Sequence, residues 1–165
     1  KQGWVPARLS IQRGASSGAH SLLMLTHLSP RGENLLLKAR GRFVAQFPYQ
    51  LCDSLRGLDA DLVCSLMKNA GPSGIEPDEA DLADVRAFAS GQRLLEVSIG
   101  SVWRWLCHTL MSSSRASRLG EQELTLLVAR VLQKHGWQEC ARQIGVAGRA
   151  QAQAVLRGAI AKLIG

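Results

Sequence analysis

No two cysteines stand at CxxC spacing. Cys52, Cys64, Cys107 and Cys140 are scattered, each inside an apolar run, and read as small buried hydrophobes in a reducing compartment such as the cytosol. The four histidines form no HExxH and pair with no cysteine at ligand spacing, so no metal site is expected. A membrane-length apolar run is missing too. The longest candidate, Leu94 to Met111, is broken by Glu96, Arg104 and His108, and falls short of the ~20 clean residues a span needs. An initiator Met and a signal-peptide layout are also absent. The chain opens at Lys1-Gln2-Gly3-Trp4, and the expectation is a piece of a longer polypeptide.

What is present is one domain's worth of sequence. With 165 residues, 46% of them hydrophobic, the chain can bury ~70% of its unfolded surface. That composition excludes a disordered tail and a disulfide-stapled mini-protein. The net charge of +7 is unevenly placed. Residues 1–70 hold nine Lys/Arg against four Asp/Glu, residues 71–100 two against six, and residues 101–165 nine against three. A basic final third after an acidic break suits a polyanion-binding module, or equally an ordinary solvated basic surface.

The pattern along the chain predicts a short β segment and then helices. Gly3 to Gln12 and His20 to Leu28 read as two strands joined by a small-residue loop, an antiparallel hairpin. Such a hairpin is marginal alone, so it is expected to belong to a larger sheet. From Ser29 (N-cap) and Pro30 (N1), apolar residues Leu35, Ala39, Phe43 and Phe47 step by four, and Pro48 is expected to close or kink that helix. Tyr49 to Leu55 and Asp59 to Asn69 read as shorter helices, and Gly71 to Pro77 as a linker. Asp78 to Ser90 reads as an acid-started helix. Leu95, Ile99, Val102, Leu106 and Leu110 form a stripe, with a strand over Leu95, Val97 and Ile99 as the alternative. Ser112 to Gly120 is hinge-like, and Leu124 to Leu132 is strongly amphipathic.

Trp137 to Leu163 carries the spacing of a helix-turn-helix, with Ala141 permitting close approach and Gly145-Val146 turning the chain. In its second helix Ala152, Val155, Leu156, Ala159, Ile160 and Leu163 face inward. Arg149, Gln153 and Arg157 run along one edge at steps of four, placed to reach phosphates; the plain alternative is an α-hairpin with solvated arginines. Arg142 to Ala147 matches R-x-x-G-x-A, a pyrophosphate loop, but a helix rather than a strand precedes it, so the match is read as fortuitous. Gly14 and Gly18 fit neither a P-loop nor a dinucleotide fingerprint. Ser16 and Ser17 lie near His20 without an elbow motif or a third group, so they make no hydrolase triad. Trp103 and Trp105 are candidates for base stacking, but two helical steps turn them about 200° apart, which puts at least one in the core.

Three blocks together resemble one family. Gly3-Trp4-Val5, Arg8-Leu9, Ala15-Ser16-Ser17-Gly18, His20-Ser21 and Met24-Leu25 resemble the last two strands of the GNAT domain of the tRNA(Met) cytidine acetyltransferases. Arg42 to Leu51 (RFVAQFPYQL) resembles the helix after that domain, also in the eukaryotic RNA cytidine acetyltransferases. Leu132-Gln133, Gly136-Trp137, Ala141, Gly145, Gly148-Arg149 and Leu156-Arg157 resemble the tRNA-binding segment at the family's C-terminus.

The resemblance implies an α+β chain, mostly α: a C-terminal GNAT β-hairpin (1–28), helices packed on the GNAT domain (29–71), and a helical tRNA-binding region with a helix-turn-helix-like end (72–165). It implies a cytoplasmic parent that moves acetyl from acetyl-CoA to N4 of the wobble cytidine of elongator tRNA(Met), using ATP through a module outside this chain. The pyrophosphate loop and catalytic residues would precede Lys1, leaving this piece inactive alone. Lys1 falls where the family puts a basic acetyl-CoA contact, often Arg, although Lys lacks the bidentate fork. His20 matches a variable position. Arg115, Arg118, Arg142, Arg149, Gln153 and Arg157 are the expected RNA contacts, with no metal and no membrane. The competing expectations are a non-enzymatic helix-turn-helix nucleic-acid-binding protein and a helical protein-interaction module.

Overall fold

A computed structural model of the chain describes residues 3–72 and 74–165. Strands β1 (Val5–Arg13) and β2 (His20–Leu25) pair antiparallel, with Val5 opposite Leu25 and Arg13 opposite His20. The register shifts between Pro6 and Arg8, at the place where proline has no N–H to give the ladder. Gly18, at φ +64, closes the connecting loop as its N–H donates to the Gly14 carbonyl at 2.8 Å. Beyond Leu25 the expected strand stops.

Helix α1 (Pro30–Leu51) begins as its caps predict: the Ser29 hydroxyl accepts from the Gly32 N–H at 3.1 Å, with Pro30 in the first turn. Pro48 does not close it. The helix runs through this buried proline to Leu51, because Phe43, Val44, Phe47 and Leu51 anchor both sides of it in the core. Tyr49 to Leu55 is accordingly no separate helix; it is the last turn of α1 followed by tight turns. Chain direction then resets at Asp59, whose carboxylate caps α2 (Ala60–Ala70). Arg40 of α1 donates to the Ala70 carbonyl at the far end of α2, so the two helices are tied there.

The acid-started helix is α3 (Glu79–Ala89), with Asp78 and Asp81 forming a reciprocal capping box. The Leu95 segment is helix α4 (Leu95–Ser112), not a strand, and it is the centre of the helical part. Leu95, Val102, Leu106 and Cys107 are fully buried on it, and Trp105 nearly so. Carboxylates of α3 meet cations around α4: Arg104 holds Asp81 through two hydrogen bonds, and Arg93 and Ser101 hold Asp84. Asp81 is buried, and the Arg104 guanidinium keeps its carboxyl down at about 2.

The hinge-like stretch contains a single 3₁₀ turn (Arg115–Arg118). Helix α5 (Glu121–Leu127) widens into a π turn over Val128–Leu132, a departure from the regular helix its amphipathic pattern suggests. Short α6 (Trp137–Gln143), a turn at Gly145 (φ +70) and α7 (Arg149–Ile164) complete the order. Helix α7 buries Ala152, Leu156, Ala159, Ile160 and Leu163.

The π turn leads into a polar clasp on the corner between α1 and α2. Arg56 donates to the carbonyls of Gln133 (2.9 Å) and Lys134 (3.1 Å), and the Gln133 amide donates to the Leu58 carbonyl at 2.7 Å. His135 Nε2 lies 2.9 Å from the Arg56 carbonyl, while its Nδ1 lies 2.7 Å from the Glu139 carboxylate. Lys134, at φ 59, turns the chain so that these groups converge.

Candidate nucleic-acid interface

The arginines expected to meet RNA have different local partners. Arg118 is exposed on the 3₁₀ turn and has no acidic partner among the described residues. Arg142 is exposed in the last turn of α6, and its charge helps hold the Glu139 carboxyl below the usual range, after the larger effect of His135. Arg115 is engaged: it donates to the Leu163 carbonyl at 3.2 Å, satisfying the C-terminal end of α7.

Arg149, Gln153 and Arg157 do share one side of α7, but that side is turned toward α3 and α4. Arg149 pairs with Glu96 at 2.9 Å and lies 5.7 Å from the Trp137 ring centroid. The Trp137 indole donates to the same Glu96 carboxylate at 3.2 Å, and Arg130 sits 4.7 Å from the same ring. The Glu96 carboxyl is held below its usual range by its own backbone N–H and by that indole. Gln153 is half-buried. Arg157 is half-buried over Phe88 at 5.5 Å, beside the turn at Gly91, whose φ of +86 favours glycine. The outward positions of α7 are Ala150, Gln151, Ala154, Gly158 and Ala161, with Lys162 occupied by Glu123 at 2.7 Å. A helix with that outer face offers little to base edges.

Lys1 lies outside the described residues. The R-x-x-G-x-A stretch occupies the end of α6 and the turn after it, so no strand delivers a phosphate to backbone N–H groups there. Trp105 is buried, and Trp103, half-buried, tilts against Tyr49 at 5.7 Å. Among the described residues no group of three His, Cys, Asp or Glu side chains is placed to hold a metal, and no helix is long and apolar enough to cross a membrane.

A second basic surface carries no motif. Between the hairpin and α1 runs an open groove of about 970 Å³ with Arg8, Lys38 and Arg42 along it. Its signal in the sequence is the step of four from Lys38 to Arg42 in a segment nearly free of carboxylates.

Fold and surface together define a helical, cation-bearing module attached to a two-stranded antiparallel hairpin. No family model matches the chain. Curated relatives do. It is 43% identical over 162 residues to the tRNA(Met) cytidine acetyltransferase TmcA of Nitrosococcus halophilus. It is 30% identical over 165 residues to the TmcA of Vibrio cholerae, and 30% over 164 to that of Haloferax volcanii. Each match takes in 98% of this chain, which spans only 21–22% of the relatives' length. The chain is thus homologous, almost end to end, to one segment of the tRNA(Met) cytidine acetyltransferases.

Proposed function

We propose that this chain is the C-terminal part of a tRNA(Met) cytidine acetyltransferase, contributing the edge of the GNAT sheet and a tRNA-holding helical region. The observation that carries this reading is the 43% identity sustained over 98% of the chain. Residues 1–28 are the last GNAT hairpin, 29–71 pack on that domain, and 72–165 hold tRNA. The hairpin has the surface of an unfinished sheet: Trp4, Ile11 and Leu22 are between 39% and 61% exposed, against the usual fate of such side chains.

In the parent, acetyl-CoA supplies a thioester-activated acetyl group. The N4 amine of the wobble cytidine forms a bond to its carbonyl carbon, the C–S bond breaks, coenzyme A departs as the thiolate, and the amine gives up a proton. The described residues do not form a pyrophosphate cradle, so no part of that step is assigned to them, and ATP use belongs to the parent outside this chain. What these residues do is hold RNA. Exposed Arg118 and Arg142 meet phosphates, while the charge of Arg149 is shared with Glu96. Binding of this kind weakens with salt by ~0.7–0.9 log units per log unit for each phosphate contact. Holding the anticodon loop near the thioester makes the attack effectively unimolecular, and an unstacked loop cytosine is presented more cheaply than one in a duplex.

The test is acetyl transfer by the full-length protein to elongator tRNA(Met). A mass gain of one acetyl group on the anticodon fragment, abolished when the wobble cytidine is replaced by uridine, is expected. Transfer to a protein or small amine in place of tRNA overturns the reading.

A further inference from the structure

The groove between the hairpin and α1 lies outside residues 72–165, to which the function proposed above assigns the holding of tRNA. Its composition is one-sided: residues 3–58 hold seven Lys/Arg and two Asp/Glu. Of these cations, Arg40 is occupied by the end of α2 and Arg56 by the clasp at Gln133. Arg8, Arg31, Lys38 and Arg42 are all exposed and have no acidic partner among the described residues. Arg31, Leu35, Lys38 and Arg42 follow one another at steps of four, three and four, so they form a single stripe along α1. Arg31 and Lys38 share a shallower extension of the same depression.

Beneath the cations the groove is apolar. Leu9 and Phe43 close its floor, and Leu23 and Leu35, 51% and 68% exposed, stand at its sides. Gln46 and Gln50, one turn apart, add amides that both donate and accept. A row of unpaired cations beside an aliphatic floor and two amides suits a ligand with a periodic negative backbone and flat, hydrogen-bonding apolar faces. Unpaired RNA has that chemistry; a duplex keeps its bases stacked inside. An acidic, apolar-faced polypeptide is the competing occupant. The amides and the linear spacing of the charges favour the nucleic acid.

We infer that this groove binds an unpaired stretch of RNA, with phosphates on Arg31, Lys38 and Arg42 and Arg8 on the opposite wall. The assignment rests on the RNA-modifying reading and extends it: the RNA is gripped at two places, the helical end and the hairpin groove.

The test is fluorescence anisotropy of full-length protein with labelled tRNA(Met) across a salt series. It compares wild type, the pair Lys38→Gln with Arg42→Gln, and the pair Arg118→Gln with Arg142→Gln. All four positions are exposed, and unchanged melting temperatures establish that each pair folds. For Lys38→Gln with Arg42→Gln the expected results are a log–log slope shallower by about 1.4 and affinity about tenfold lower near physiological salt. Cross-links from 4-thiouridine in the anticodon loop to α1 should disappear as well. An unchanged slope in that pair, with a reduced slope in the Arg118/Arg142 pair, overturns the groove and leaves the RNA reading intact. Salt-indifferent or absent tRNA binding by the wild type overturns both. Strong hydrogen-exchange protection of β2 and the first half of α1 in RNA-free protein means that polypeptide covers the groove, and overturns the assignment.

Discussion

Asp81 shows how a single carboxylate ties two helices. It completes the cap of α3, lies buried, and accepts two hydrogen bonds from Arg104 of α4. Its carboxyl is lowered from 3.8 to about 2, with the Arg104 hydrogen bonds the largest cause. A depressed carboxyl contributes stability that is complete above its unfolded value and is lost as pH falls through its folded one. The window is therefore about pH 4 down to pH 2. Asp81→Asn should cost roughly 1–2 kcal/mol at neutral pH. In urea titrations the gap between variant and wild type should close as the pH enters that window; a constant gap would reject the electrostatic account. The thiols give a second residue-scale expectation. Burial pushes Cys64 and Cys107 up to about 12 and Cys140 to about 11, so all three are inert as nucleophiles. Alkylation of the folded protein at mildly alkaline pH should leave these three unmodified by mass spectrometry, and denaturant should release them.

At the scale of elements, α7 separates what a sequence shows from what it hides. Its inward face was legible: Ala152, Leu156, Ala159, Ile160 and Leu163 are buried as their spacing predicts, and half-buried Val155 lies at the margin. The side bearing Arg149, Gln153 and Arg157 was legible as a row, but its direction was not. Which element packs against a row depends on contacts across many residues, here Glu96 and Phe88. Arg157→Ala should therefore lower stability by about 1 kcal/mol through lost packing over Phe88. The salt slope of RNA binding should be unchanged in that variant; a shallower slope would return Arg157 to the interface. Pro48 teaches the same lesson. Local chemistry ends a helix there, yet core anchors on both sides carry α1 to Leu51. The cap at Ser29 and the helix starts at Asp59 and Asp78 were legible because the signal is local and chemical. The π turn after Leu127 was not, since a widened turn leaves the apolar spacing almost intact.

For the molecule as a whole, the mostly helical α+β composition followed from the change of apolar period after Ser29, and the family from three colinear blocks of residues. The distribution of free positive charge did not follow, because it depends on which cations the fold neutralises. Much of the basic final third is spent internally: Arg104, Arg149 and Lys162 face carboxylates, and Arg115 and Arg130 face carbonyls. The basic residues of α1 and β1 are freer. Tripling salt should therefore weaken tRNA binding by a smaller factor than the formal charge of 101–165 suggests, and combining the Lys38/Arg42 and Arg118/Arg142 substitutions should be additive in log affinity, as distant sites are. Strong non-additivity in the quadruple variant would mean one continuous surface.

The clasp of Gln133, Lys134 and His135 on Arg56 and Leu58 closes a loop of 75 to 79 residues. During synthesis the α1–α2 corner emerges long before the groups that satisfy it. Until Gln133 has left the ribosome, the Leu58 carbonyl lacks its amide and Arg56 has no carbonyl to hold. The N-terminal half should wait, unlocked, for the chain to return. A late, cooperative folding step is built into the order of the sequence, and nascent chains stopped before Gln133 should remain sensitive to protease throughout.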